Sequence, residues 1–114
     1  MSALTELDDF SFHHVLGDSP GASLVLFVSE GCPACRSWKR LLTEALPDHH
    51  DLNLFMVDAG HNPGLANEFG VFHLPALFLY LDGHFHAEVQ CEARPAALLA
   101  EIEALRRRPA GEAP

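Results

Sequence analysis

Three short apolar runs limit what this chain can fold into: "LVLFV" (24–28), "LNLFMV" (52–57) and "ALFLYL" (76–81). Each is too continuous for a strand with one wet face, so each reads as a strand covered on both sides. The stretches around them are helical. From Leu7 to Leu16, apolar residues at 7, 10, 12, 15 and 16 form a helical stripe that Gly17 ends. Cys32 to Leu46 reads as a second helix, stopped by Pro47. "NPGLANEFG" (62–70) carries an Asn cap, an early Pro and a terminal Gly, which mark a short helix. "DG" (82–83) is a tight turn. After it, Phe85, Ala87, Val89 and Cys91 alternate with polar residues over 84–91, as in an antiparallel edge strand. "RPAALLAEIEALRRR" closes the chain as an amphipathic helix. The predicted order is α-β-α-β-α-β-β-α, an α/β sandwich with a central mixed sheet and helices on both faces. The first crossover is expected to be right-handed.

At 114 residues the chain suits one domain, taken as 1–108, with "PAGEAP" (109–114) as a disordered tail. A formal net charge of −9 with only seven Lys and Arg argues against a nucleic-acid surface. Arg106, Arg107 and Arg108 complement the dipole at a helix end. No apolar run is long enough to span a bilayer. "MSALTELDDF" has no basic or apolar leader segment, so a cytoplasmic location is expected, or a periplasmic one if a leader was removed.

Cys32 and Cys35, in "SEGCPACRSW" (29–38), fall where the first apolar run gives way to a helix. Open α/β sheets keep their chemistry at that strand end. A spacing of three puts both sulfurs on one side of the first turn, within bridging reach. Cys32 stands at the helix start, where free N–H groups stabilise a thiolate. Such a setting often lowers a thiol from about 8.5 to below about 7.5. Cys35 lies one turn inside. This asymmetry suits thiol–disulfide exchange, with Cys32 attacking a substrate disulfide and Cys35 resolving the mixed disulfide. Pro33 fits a first helical turn. A structural metal site would need further paired ligands. Cys91 is isolated, and the histidines (13/14, 49/50, 61, 73, 84/86) are scattered over different elements, so no metal is expected.

With these features in order, the chain resembles the thioredoxin family over roughly residues 4 to 108. The resemblance rests on "LVLFVSEGCPAC", on "VDAGHNPGLANEFGVFHLPALFLYLDG" and on the C-terminal helix. It implies a thioredoxin-like three-layer α/β/α sandwich and a thiol–disulfide oxidoreductase without a cofactor. It also implies a cis Leu74–Pro75 bond beside the cysteines, with Leu74, Pro75, Pro33 and Ala34 meeting the substrate. The implied partners are disulfide-containing proteins or peptides and a dithiol reductase or other electron donor, with no membrane partner. A monomer is expected.

The departures from the family are specific. Gly31 stands where Trp often precedes the pair, and Pro33-Ala34 replaces Gly-Pro. Leu26 replaces a buried acid, Leu54 a lysine near it, and Arg40 a helix proline. Both charged partners are missing together, which leaves no orphan buried charge. Deprotonation of Cys35 then needs another route: water, Glu30 or His73. His73 is either a modulator of the site or a solvated loop residue. Cys91, beside the implied groove, is either a regulatory third thiol or a buried hydrophobe. Trp38 reads as core. Asp8 and Asp9 fit a helix first turn, and Asp58 a strand end. Two other uses of the pair stay open, a protein-binding module with non-catalytic cysteines and a thiolate metal carrier.

Overall fold

The structure, a computed structural model, describes residues 3–47 and 50–114, so His49 lies outside it. The three apolar runs occupy the interior of a five-stranded mixed sheet in the order β1-β3-β2-β4-β5. Its strands are β1 (Thr5–Leu7), β2 (Ala22–Val28), β3 (Asn53–Asp58), β4 (Ala76–Leu81) and β5 (His84–Val89). β1, β3 and β2 run parallel, β4 is antiparallel to β2, and β5 is antiparallel to β4. The helices are α1 (Phe12–Gly17), α2 (Pro33–Arg40), α3 (Pro63–Glu68) and α4 (Pro95–Arg106). No helix among the described residues is long and apolar enough to cross a membrane.

The pleat of β2 explains why its sequence is apolar throughout. Leu24, Leu26 and Val28 enter one core cluster with Cys35, Trp38, Leu41 and Leu42 of the α2 segment and Leu98, Ile102 and Leu105 of α4. Val25 and Phe27 enter the other, with Phe12 and Leu16 of α1 and Leu65 of α3. That second cluster is aromatic: Phe12, Phe27, Phe69 and Phe78 pack with ring centroids 5.1–6.2 Å apart. The expected three layers are present.

Four local readings are corrected. Leu7 does not begin a helix: Thr5–Leu7 is an edge strand pairing with Phe55–Val57. Phe10, counted in the helical stripe, is 91% exposed. Asp8 and Asp9 precede α1 rather than filling its first turn. Asp8 Oδ1 accepts the Phe10 and Ser11 N–H groups, and Asp9 Oδ1 accepts the Leu65 N–H of α3. These local hydrogen bonds hold the Asp8 carboxyl below its ordinary range, Ser11 contributing most. The helix after the cysteines keeps its α ladder only to Arg40 and continues as a π-helical turn, Leu41–Ala45.

The fourth correction concerns β5. Its pairing shifts between Leu79 and Tyr80, which face Ala87 and Phe85, so His86 is an extra residue in a bulge. Phe85 therefore packs on the aromatic cluster, while Ala87, Val89 and Cys91 stay on the other side. His86 is buried, and its Nε2–H donates to the Leu105 carbonyl at the end of α4. The β4–β5 turn has positive φ at both Asp82 (49°) and Gly83 (84°), as a two-residue hairpin turn requires. Residues 109–114 are exposed and carry no regular structure, and the Gly111 N–H donates to the His86 carbonyl.

Candidate functional site

β2 ends at Val28, and the chain reverses through Gly31, whose φ of +73° glycine adopts freely. Cys32 follows as the N-cap of α2, with extended dihedrals. Its Sγ accepts the Cys35 N–H at 3.1 Å, so a backbone donor of the first turn points at this sulfur. Pro33 occupies the first helical position, where its missing N–H leaves no bond unmade. Cys32 and Cys35 form a disulfide with Cα atoms 5.2 Å apart, within the normal span for such a bridge.

The two sulfurs sit in different surroundings. Cys32 is half-buried, and Pro33 and Ala34 beside it are exposed. Cys35 is 2% exposed and belongs to the core cluster that holds Leu26 and Leu54. The family's charged partners are thus replaced by apolar groups, and Cys35 is dry on its core side. Leu74 and Pro75 reach the pair from the loop before β4. The Leu74–Pro75 bond is cis, and Cys32 Sγ lies 3.9 Å from the Leu74 carbonyl oxygen.

Two clefts flank this centre. One, of about 430 Å³, brings together Trp38, His73, Pro75, Glu88, Gln90 and Cys91. The other, of about 350 Å³, reaches Cys35 and is lined by Glu6, Glu30, Arg36, Lys39 and Asp58. His73 and Glu30, the two side chains considered for proton transfer, are thereby separated. His73 shares its cleft with the proline, and Glu30 shares the other with Cys35. Cys91 is half-buried. Burial pushes its thiol up, and the carboxylates of Glu101 and Glu92 add to the effect. Trp38 is core, as its helical position indicates, yet one edge of it lines the cleft with Pro75.

Sequence reasoning placed Asp58 correctly at a strand end but gave it no neighbours. Its Oδ1 accepts the Gly60 N–H (2.9 Å) and the His61 N–H (3.1 Å), and its Oδ2 lies 3.3 Å from His61 Nδ1. Lys39 was accessible from the sequence, because it follows Cys35 by four on one helix face. Glu6 was not, since it enters only through the pairing of β1 with β3. Among the described residues, no three His, Cys, Asp or Glu side chains are grouped to hold a metal ion.

Comparison with known proteins gives this geometry a family. A thioredoxin from Griffithsia pacifica is 28% identical over 82 residues, covering 71% of this chain and 75% of that protein. Among solved structures, thioredoxin f from spinach chloroplast superposes with a TM-score of 0.75 at 20% identity, covering 93% of this chain and 99% of that one. Human ERp44 in its zinc-bound form matches with a TM-score of 0.65 at 18% identity, covering 92% of this chain but only 31% of that one. At those identities the two structures establish the fold alone. Residues 3–104 match the thioredoxin family itself, and with that match the chain belongs to the thioredoxin family, whose paired cysteines make it a thiol–disulfide oxidoreductase in general terms.

Proposed function

We propose that the chain exchanges its Cys32–Cys35 dithiol with disulfides of proteins or peptides, Cys32 acting as nucleophile and Cys35 as resolving thiol. The observation that carries this reading is the asymmetry of the pair. The half-buried sulfur is the one that receives a helix N-terminal N–H, while its partner is 2% exposed. A nucleophile must be reached by its substrate and held as a thiolate, and a resolving thiol needs only to reach Cys32. The Cys32 thiolate attacks one sulfur of the substrate disulfide and the other leaves as a thiolate. Cys35, once deprotonated, then attacks Cys32 Sγ and expels the second substrate sulfur. The substrate gains two electrons and two protons, and the pair becomes a disulfide. Another dithiol system returns it to the reduced state.

Leu74, whose carbonyl oxygen lies 3.9 Å from Cys32 Sγ, would form the seat for the substrate chain together with Pro75, Pro33 and Ala34. The experiment is trapping. Cys35→Ser, mixed with a disulfide-bonded protein, is expected to accumulate a covalent mixed disulfide through Cys32, whereas Cys32→Ser accumulates none. Equal trapping by both variants, or by neither, would overturn the assignment of roles. A Cys32→Ser variant that still binds its partner and keeps its biological activity would favour a binding module with non-catalytic cysteines.

A further inference from the structure

Cys35 must lose a proton before it can attack, and burial alone makes a thiol reluctant to do so. Its core side offers no base, because Leu24, Leu26, Leu54 and Leu77 share its cluster. The proton's one polar outlet among the clefts described is the 350 Å³ one. The charged groups that line this cleft together with Cys35 are Glu6 from β1, Glu30 from the β2–α2 turn, Arg36 and Lys39 from α2, and Asp58 from β3.

The three carboxylates are not equivalent. Asp58 is already engaged by two backbone N–H groups and the His61 ring. Glu6 stands on β1, separated from β2 by the whole of β3, which is about 10 Å at normal strand spacing. Glu30 lies in the short turn between β2 and Cys32, and among the described residues it makes no hydrogen bond or ion pair.

Resting on the proposed exchange reaction, we infer that Glu30 is the proton acceptor for Cys35, acting through water in this cleft. In the mixed disulfide, the Cys35 proton passes by way of water to the Glu30 carboxylate. The Cys35 thiolate left behind forms the new S–S bond with Cys32 as the substrate sulfur departs with the bonding electron pair. Glu30 then returns the proton to solvent, from which the leaving thiolate takes one. The cleft is roomy and polar enough for bridging water. The cations of Arg36 and Lys39 line it and oppose the charge that develops on Cys35. The acceptor comes from the turn that delivers the cysteines, so the chain does without a buried acid.

The test separates the two thiol steps in single turnover. Reduced protein is mixed with a chromogenic aryl disulfide. Release of the first aryl thiolate reports attack by Cys32, and release of the second, independent of reagent concentration, reports resolution by Cys35. Glu30→Gln should slow the second release about tenfold near neutral pH, below the usual range for a fully placed general base because water carries the proton. The first release should change by less than about twofold, and the two proteins should converge at alkaline pH, where hydroxide takes the proton. Glu30→Asp should recover most of the rate, and Asp58→Asn should resemble wild type. An unchanged second step in Glu30→Gln across the pH range overturns the inference. So does equal slowing of both steps, which would place Glu30 on Cys32 or on the fold. If wild type itself never gives a second release, the exchange reading fails, an outcome distinct from any effect of Glu30.

Discussion

Leu26→Asp puts the dryness around Cys35 to a direct test. Leu26 is 0% exposed in the centre of β2, with Met56 and Leu77 as its ladder neighbours and Leu54 and Cys35 in its cluster. Removing the isobutyl group should cost about 3 kcal/mol, as for other fully buried leucines. The new carboxyl finds no donor in that apolar cluster, so burial should raise it by about three units, a further ~4 kcal/mol at neutral pH. The sum of ~7 kcal/mol compares with the whole stability of an ordinary domain, about 5–15 kcal/mol. The sign of the pH dependence follows. The unfolded carboxyl ionises near pH ~3.9 and the folded one near ~7, so over that window the native state holds more protons and stability falls as pH rises. Urea unfolding, followed through the single tryptophan, Trp38, should show the variant folded near pH ~4. Its midpoint, measured against wild type, should then fall by about 1–4 M on going to pH ~7.5. Leu54→Lys in the same chain should recover part of the pH-dependent loss only. An identical deficit at both pH values would refute the argument, because it would mean that water or a donor already reaches Leu26.

Two further predictions use single reporters. Tyr80 is the only tyrosine, and its phenol is pushed up to about 12 by burial and by Glu68. Its near-ultraviolet titration should have a midpoint near 12 in the native protein and about 10 in denaturant. Stability should accordingly be complete below about pH 10 and decline through 12. A native midpoint at the denatured value would refute the packing described for β4. Cys91, in a Cys32→Ser/Cys35→Ser background, should alkylate several-fold more slowly than a free thiol near neutral pH, because its thiol is raised. Glu101→Gln should speed the reaction, and alkylation as fast as that of free cysteine would contradict the environment described.

The parts of the fold legible from sequence were those with a strong repeating signal. β4 needed only its continuous apolar run, and the cysteine pair stood out because a buried strand changes to helix there. β1 was missed because three residues with one buried side chain, Leu7, carry no period, and residues 7, 10, 12, 15 and 16 mimic a helical stripe. The β5 bulge was hidden for the opposite reason. Phe85, Ala87, Val89 and Cys91 alternate perfectly in sequence, and only the pairing with β4 shows that Phe85 faces the other side. The site divides in the same way. Cys32, Cys35 and Gly31 are local, and their geometry follows from one turn. The clefts are not: Glu6, Glu30 and Asp58 come from three separate stretches that meet only through parallel pairing, as His73 and Cys91 meet only across the start of β4.

The proposed exchange requires Cys32 and Cys35 to form a working dithiol–disulfide couple. It is tested most directly by equilibrating the full chain in graded glutathione buffers, quenching with acid and trapping the free thiols. The expected result is a single two-electron transition between about −270 and −120 mV that converts Cys32 and Cys35 together, with Cys91 free throughout. If no Cys32–Cys35 disulfide forms at any poise, the pair is not a redox couple and the account of this site is wrong.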